Sequence, residues 1–162
     1  MAAKMAGCSR IVAVDRQPGR LALAEELGAT HAVQADESLA TALKQLLKPG
    51  VDYALDCVGL EQTASLAFAA LHPQGEMGLV GVPRPGASLN LPMHELLFGK
   101  KVRGIIEGDA RPQDFIPRML AWQQAGQLPY ERLIRSYAFA DIQQAVEDME
   151  AGRVIKPVLR MD

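Results

Sequence analysis

Short aliphatic runs alternate with helical segments along the chain, and this alternation limits the fold more than any other feature of the sequence. Ile11–Val14 is continuously apolar, as is typical of a strand covered on both faces. Val51–Val58 and the glycine-rich Gly75–Val82 are two further strand candidates with a helical pattern between them. Strands that alternate with helices indicate crossover connections. The sequence therefore predicts an α/β fold with a parallel sheet, not a helical bundle or a β-sandwich.

Composition excludes several classes of protein. The 162 residues correspond to one large domain or slightly more, and an apolar fraction of 49% is enough to form a core. The net charge is −2 and basic residues are scattered, so we expect no nucleic acid and no anionic membrane as partners. No apolar run reaches the ~18 residues that span a bilayer. The N-terminus also lacks the apolar core of a signal peptide.

The cysteines and histidines do not form a recognisable metal motif. Cys8 and Cys57 lie at ligand spacing neither with each other nor with any of the three histidines. We therefore predict no metal site and no disulfide in these residues, and a reduced, cytoplasmic location. Cys57 follows Asp56 in a strand candidate and is predicted to pack as a small buried side chain.

Helix start and stop residues complete the expected order of elements. Pro18 belongs to the first turn of a helix that Gly28 ends. The other expected elements are a helical end at Ala2–Met5, a weak strand His31–Gln34, a helix Glu61–Leu71, an edge strand Lys101–Ile106, a helix capped by Asp114 with Pro117 in its first turn, and a helix Ala140–Ala151.

Asp15 ends the first strand candidate and is the first candidate binding residue. In a dinucleotide-binding unit, the second strand ends in an acid that holds the ribose. A strand that ends in Asp is also common in other α/β proteins, and an arginine at the position of Arg20 is more often a solvated side chain than a phosphate or adenosine contact. The later strand ends DCVG and LVGVP make the combination more specific, because ligands lie at the carboxyl ends of parallel strands.

The glycine-rich phosphate loop of such a unit is not found before Asp15. That loop precedes the acid by roughly 20 residues, and counting back this far passes Met1. We therefore expect a Rossmann-type doubly wound parallel sheet that is truncated at the N-terminus, with the first strand and the glycine loop missing. In the order 3-2-1-4-5-6 the first strand is central. Ile11–Val14 and Val51–Val58 are then expected to face a gap.

The order and spacing of four blocks resemble a known family. AAKMAGCSRIVAVDRQPGRLALAEELGATHAV, DYALDCVG, LVGVP and IKPVL resemble the coenzyme-binding half of zinc-dependent medium-chain alcohol dehydrogenases, over essentially the whole chain. GIIEGD resembles the aryl-alcohol dehydrogenase branch of that family. The resemblance implies a partial NAD-binding domain in residues 1–152 and a segment, residues 153–162, that returns toward a catalytic domain missing from this chain.

The same resemblance implies an activity. The parent would be an oxidoreductase that transfers hydride between an alcohol, aromatic in that branch, and NAD, with catalytic zinc held by the missing domain. This chain alone would then be inactive, with no catalytic residue of its own. The implied partners are a small-molecule alcohol or aldehyde and a second copy of the chain, in a homodimer or homotetramer built through the edge strand Lys101–Ile106.

The resemblance also assigns coenzyme contacts. Asp15 would accept hydrogen bonds from the ribose hydroxyls and disfavour a 2′-phosphate, which favours NAD over NADP despite the neighbouring Arg16. The other implied contacts are Arg20 beside the adenosine ribose, Val58 and Gly59 on the adenine side, Val80, Gly81 and Val82 on the nicotinamide side, Ile105 at the carboxamide, and Lys156 at the pyrophosphate. Lys156 is equally well explained as a solvated lysine.

Two other functions remain open at this point. One is a non-catalytic module that senses NAD, which would need a complete phosphate loop. The other is a fragment of an adenosylmethionine-dependent methyltransferase, whose second strand also ends in a ribose-binding acid. The LVGVP block and the closing VIKPVL argue against the methyltransferase.

Overall fold

The computed structural model describes residues 1–161, which divide into two compact units. The first unit combines Met1–Gln34 with the segment from Pro112 onward, and the second is Ala35–Arg111. The helices are α1 Ala2–Met5, α2 Pro18–Glu26, α3 Leu39–Leu46, α4 Glu61–Ala69, α5 Met93–Leu97, α6 Pro112–Gln124 and α7 Ile142–Glu150. The strands are β1 Val12–Asp15, β2 His31–Gln34, β3 Val51–Asp56, β4 Leu71–Leu79, β5 Lys101–Gly104, β6 Ile134–Ala138 and β7 Lys156–Arg160.

All strand pairs of the described residues are parallel, which confirms the predicted α/β class. The second unit holds a three-stranded sheet in the order β3-β4-β5. The first unit holds two two-stranded sheets, β1-β2 and β6-β7. Within these sheets, β1 has a ladder only to β2, and β3 only to β4. Within the described residues, each of these two strands therefore has a ladder on one edge.

The segment β1-α2-β2 is a single crossover unit. Pro18 is the first residue of α2, where the missing N–H costs nothing, and Leu21 is the buried residue of the helix. Thr30 joins the starts of the two strands, since its hydroxyl accepts from the Ile11 N–H at 2.8 Å and donates to the Ile11 carbonyl at 3.0 Å. Asp15 is thereby fixed at the carboxyl end of β1.

The second unit is built around Phe68 of α4 and Leu71 and Met77 of β4. Lys100 packs against this core, with its ammonium 4.9 Å from the centre of the Phe68 ring. The ammonium donates to the Phe68 carbonyl at 3.0 Å and pairs with Glu95 at 2.5 Å. It therefore satisfies a carbonyl in the last turn of α4, where a cation is favourable.

Three strands end earlier than the sequence predicts, and the reason is local. The ladder between β3 and β4 stops at Asp56 and Leu79. Beyond this point the two segments that leave the strands cross each other, and they touch at Gly59 and Gly81. β5 stops at Gly104 and is followed by a 3-10 turn, Glu107–Asp109, whose three residues all have positive φ. β5 pairs only with β4, as expected for an edge strand of this sheet.

Other expectations were wrong in detail. α6 begins at Pro112 and not at Asp114, so Pro117 lies inside the helix. A proline at the first position needs no N–H donor, which moves the start upstream. Leu71 is the buried first residue of β4, not the last inward residue of α4. Cys57 is exposed rather than buried, because β3 has already ended at Asp56.

No helix within residues 1–161 is long and apolar enough to cross a membrane.

Candidate functional site

The exits of β3 and β4 cross each other at two glycines. The Asp56 carbonyl accepts hydrogen bonds from the N–H groups of both Val80 and Gly81, each at 2.9 Å. Gly59 has a φ of +78°, and a Cβ there would lie 2.7 Å from the Val82 carbonyl oxygen. A Cβ on Gly81 would lie 2.6 Å from the backbone carbon of Val58. Both positions therefore require glycine, one for conformation and space and the other for space alone.

The Asp56 carboxylate fixes one side of this crossing. It is 3% exposed, and its oxygens accept from the Gly59 N–H at 2.9 Å and, over a longer 3.4 Å, from the Val58 N–H. This residue was missed in the choice of site residues. The signal was the sequence D-x-x-G directly after a strand, because an aspartate readily accepts hydrogen bonds from amides two or three residues ahead.

Apolar side chains are exposed around the crossing. Val58 is 58% exposed, Val80 43% and Val82 91%, at the edge of the sheet where α/β proteins bind ligands. The structure thus brings together five of the predicted coenzyme residues, Val58, Gly59, Val80, Gly81 and Val82.

Ile105 joins this group from the residue directly after β5, the third strand of the same sheet. Its N–H donates to the Leu79 carbonyl at 2.9 Å, next to the exit of β4. Its side chain lies over Gly78, where a Cβ would come within 2.6 Å of the Ile105 Cδ1 atom. The Arg103–Asp109 ion pair, at 2.8 Å, spans the left-handed turn that follows Ile105.

A second group lies at the carboxyl end of β1 in the first unit. One oxygen of Asp15 accepts from the Gln17 N–H at 2.8 Å, and the other lies 3.9 Å from the Arg20 Nη1 atom. The Arg20 Nε atom is buried and has no hydrogen-bond partner. A buried donor without a partner is unusual, because buried polar groups are nearly always hydrogen-bonded. The partly exposed Asp15 carboxylate and the Arg20 guanidinium together are suited to hydroxyl groups that both accept and donate.

Lys156 lies in a different sheet of the first unit. It is the first residue of β7, it is exposed, and it pairs in register with Ile134. Its assignment to a pyrophosphate stays a prediction.

Cys57 is not suited to act as a nucleophile. The pKa of Cys57 is raised, first by desolvation of the thiol and then by the adjacent Asp56 carboxylate, so the thiol stays protonated and is a poor nucleophile.

Within residues 1–161 no group of three or more His, Cys, Asp and Glu side chains is arranged to hold a metal ion. These residues therefore do not fit a catalytic zinc.

Each of the two groups, taken by itself, suits a part of a dinucleotide. In the first unit, the Asp15 carboxylate beside the Arg20 guanidinium suits ribose hydroxyls. In the second unit, the exposed valines at the strand exits offer apolar contact for planar rings.

Comparison with known proteins gives a consistent result. A model of the zinc-binding dehydrogenase family matches residues 1–125. The geraniol dehydrogenase of Castellaniella defragrans is 42% identical over 162 residues, which are 98% of this chain and 43% of that protein. Alcohol dehydrogenase 1 of Trifolium repens is 29% identical over 165 residues, covering 99% and 43%.

Solved structures resemble the chain equally well. An alcohol dehydrogenase zinc-binding domain protein from Burkholderia ambifaria has a TM-score of 0.93 at 42% identity, covering 99% of this chain and 44% of that one. A benzyl alcohol dehydrogenase from Acinetobacter calcoaceticus has the same TM-score at 35% identity, covering 99% and 45%. The chain thus spans less than half the length of these relatives. With its parallel α/β architecture and the family match over residues 1–125, the chain belongs to the zinc-binding dehydrogenases.

Proposed function

We propose that the chain is the coenzyme-binding portion of an NAD-dependent alcohol dehydrogenase, whose catalytic zinc is held by residues outside it. The observation that carries the proposal is the Asp15 carboxylate at the end of β1, which lies 3.9 Å from the Nη1 atom of Arg20. A carboxylate at this position accepts hydrogen bonds from both hydroxyls of an adenosine ribose. NAD, when bound, accepts the hydride of the alcohol.

The residues of this chain bind and orient the coenzyme. The charge of Asp15 repels a 2′-phosphate, so the chain favours NAD over NADP, while Arg20 donates a hydrogen bond at the ribose. The backbone at the Gly59–Gly81 crossing approaches the dinucleotide closely, and Val58 and Val82 exclude water from its rings. Lys156 supplies a positive charge for the pyrophosphate.

The proposed substrates are primary alcohols with an unsaturated or aromatic group next to the carbinol carbon, and the corresponding aldehydes. Support comes from relatives described as a geraniol dehydrogenase and a benzyl alcohol dehydrogenase. A cytoplasmic location of the parent is part of the same proposal.

The proposed assembly is a homodimer or homotetramer formed through β5 and its continuation to Ile106. β5 has one unpaired edge, and large apolar side chains flank it. Leu97 is 82% exposed, Phe98 72% and Ile106 81%. Antiparallel pairing with a second copy across a two-fold axis would satisfy the free backbone groups and cover this surface. Sedimentation of the natural gene product as a monomer at all concentrations would contradict this assembly.

The activity is tested with the natural gene product that carries this sequence. We expect NADH formation with benzyl alcohol or geraniol, faster with NAD than with NADP, and its loss when a chelator removes the metal. A polypeptide of residues 1–162 is the matched control, and it should form no NADH. Coenzyme binding by the natural product without any turnover would favour a sensing module, and absence of binding would refute the proposal.

A further inference from the structure

Asp56 combines four hydrogen bonds to backbone amides at the exits of two neighbouring strands. Its carboxylate accepts from Val58 and Gly59, which leave β3, and its carbonyl accepts from Val80 and Gly81, which leave β4. The carboxylate is 3% exposed and, within the described residues, forms no ion pair. Burying a carboxylate with only amide donors is costly, so this position is informative.

The glycines leave these exits little freedom. Gly59 has a φ of +78° and lies against the Val82 carbonyl, and Gly81 lies against the backbone of Val58. The 2.9 Å hydrogen bond from Gly59 to Asp56 restrains the residue in this left-handed conformation. Without it, Gly59 would sample the many other conformations open to glycine. Val58 and Val82, the exposed side chains on either side, would then lose their fixed positions.

We propose that Asp56 is a positioning residue for the coenzyme, acting through the Val58 and Gly59 amides to hold the strand exits in the shape that receives NAD. The inference rests on the proposed function. It assigns Asp56 no contact with the coenzyme and no part in hydride transfer. Its effect is to order the two exits before NAD binds. The free-energy cost of this ordering then does not reduce the binding affinity.

The test compares two carboxylates with the same local geometry in the natural gene product. Asp36 also accepts from an amide two residues ahead, that of Ser38 at 2.8 Å, but at the start of α3 and exposed. Asp56→Asn keeps one acceptor oxygen and loses the charge, and should raise the KM for NAD about tenfold, in line with a charged hydrogen bond. Asp56→Ala should raise it further, with kcat within about twofold in both. Asp36→Asn should leave the KM for NAD unchanged.

These outcomes separate positioning from a purely structural role. A structural role predicts a lower melting temperature and less active protein, with an unchanged KM in the fraction that is folded. An unchanged KM for NAD in both Asp56 variants would therefore overturn the inference. A wild-type protein that neither binds NAD nor oxidises alcohols would instead refute the proposed function.

A second measurement applies if the Asp56 variants do not fold. In the wild-type protein without coenzyme, the Gly59 amide should exchange with deuterium slowly, because it is bonded to the carboxylate before NAD arrives. Exchange at the rate of a free amide would overturn the inference. Gly81→Ala should also raise the KM for NAD, since its Cβ forces the exits apart while Asp56 stays in place.

Discussion

Two buried carboxylates in this chain have the same backbone role and different side-chain partners. Asp56 is 3% exposed and Asp148, in α7, is 4% exposed. The backbone carbonyl of each accepts hydrogen bonds from two consecutive amides. These amides belong to Val80 and Gly81 for Asp56, and to Arg153 and Val154 for Asp148. The side chains differ, because Asp56 binds backbone amides beside exposed valines, whereas Asp148 binds the side chains around it.

The partners of Asp148 belong to three neighbouring segments. The carboxylate accepts from the Tyr137 hydroxyl at 2.7 Å, from the Gln144 amide at 2.9 Å and from the Arg153 Nε at 2.9 Å. Arg135 lies 3.4 Å away. These hydrogen bonds join β6, α7 and the turn before β7. The comparison teaches that burial of an acid does not by itself identify a site, and that Asp56 is set apart by its backbone partners at a strand exit with exposed valines beside them.

The largest expected effect concerns stability at Asp148. Asp148→Ala leaves the Tyr137 hydroxyl and the Arg153 guanidinium without their buried acceptor, so the melting temperature should fall by roughly 5–10 °C. The KM for NAD should stay within about twofold of wild type, since neither Asp148 nor its hydrogen-bond partners are among the proposed coenzyme contacts. Glu147→Ala, an exposed acid on the same helix, is the matched control. A tenfold rise in the KM for NAD with Asp148→Ala would erase the distinction between the two carboxylates.

Much of the fold followed from local signals in the sequence. β2 was predicted with the observed bounds, and the starts of α2 and β3 at Pro18 and Val51 were correct. Two of these elements have strong boundaries, since Pro18 opens α2 and Gly50 directly precedes β3. The strand β6, Ile134–Ala138, was missed. Its sequence IRSYA is short and polar, and it becomes a strand because it pairs with β7.

The candidate site was predictable in its residues but not in its geometry. The resemblance carried by DCVG and LVGVP implied Gly59 and Gly81, yet only coordinates reveal that these glycines touch. Asp56 was passed over because a sequence cannot distinguish an aspartate that faces solvent from one that turns back onto its own strand exit. The unpaired, buried Nε of Arg20 likewise is seen only in the coordinates.

A smaller effect is expected at Asp15, a partly exposed carboxylate that can be compared with the buried Asp56 and Asp148. Asp15→Asn keeps an oxygen for the Gln17 amide, so the melting temperature should change little. The loss of a charged acceptor should raise the KM for NAD about tenfold and lower that for NADP, as the repulsion of a 2′-phosphate disappears. Asp36→Asn makes the same chemical change in a similar turn and should alter neither KM. An unchanged preference for NAD over NADP would show that Asp15 does not contact the ribose.

The smallest expected effect is a dependence on acid. The Tyr137 hydroxyl, then Arg153 and Gln144, lower the pKa of Asp148 from 3.8 to about 2. Because the folded-state pKa lies below the ordinary value, this stabilisation is complete above about pH 4 and is lost as pH falls through 2. Urea unfolding at several pH values should therefore show a steeper loss of stability below pH 4 in the wild type than in Asp148→Asn. Parallel curves would indicate that these hydrogen bonds do not hold the carboxylate ionised.

The most direct test of the central claim is hydrogen–deuterium exchange of the natural gene product with and without NAD. The account predicts that NAD slows exchange at the end of β1 near Asp15 and at the strand exits that contain Gly59 and Gly81. It also predicts unchanged exchange in α7 around Asp148. Slower exchange around Asp148 with no change at either strand exit would contradict the account.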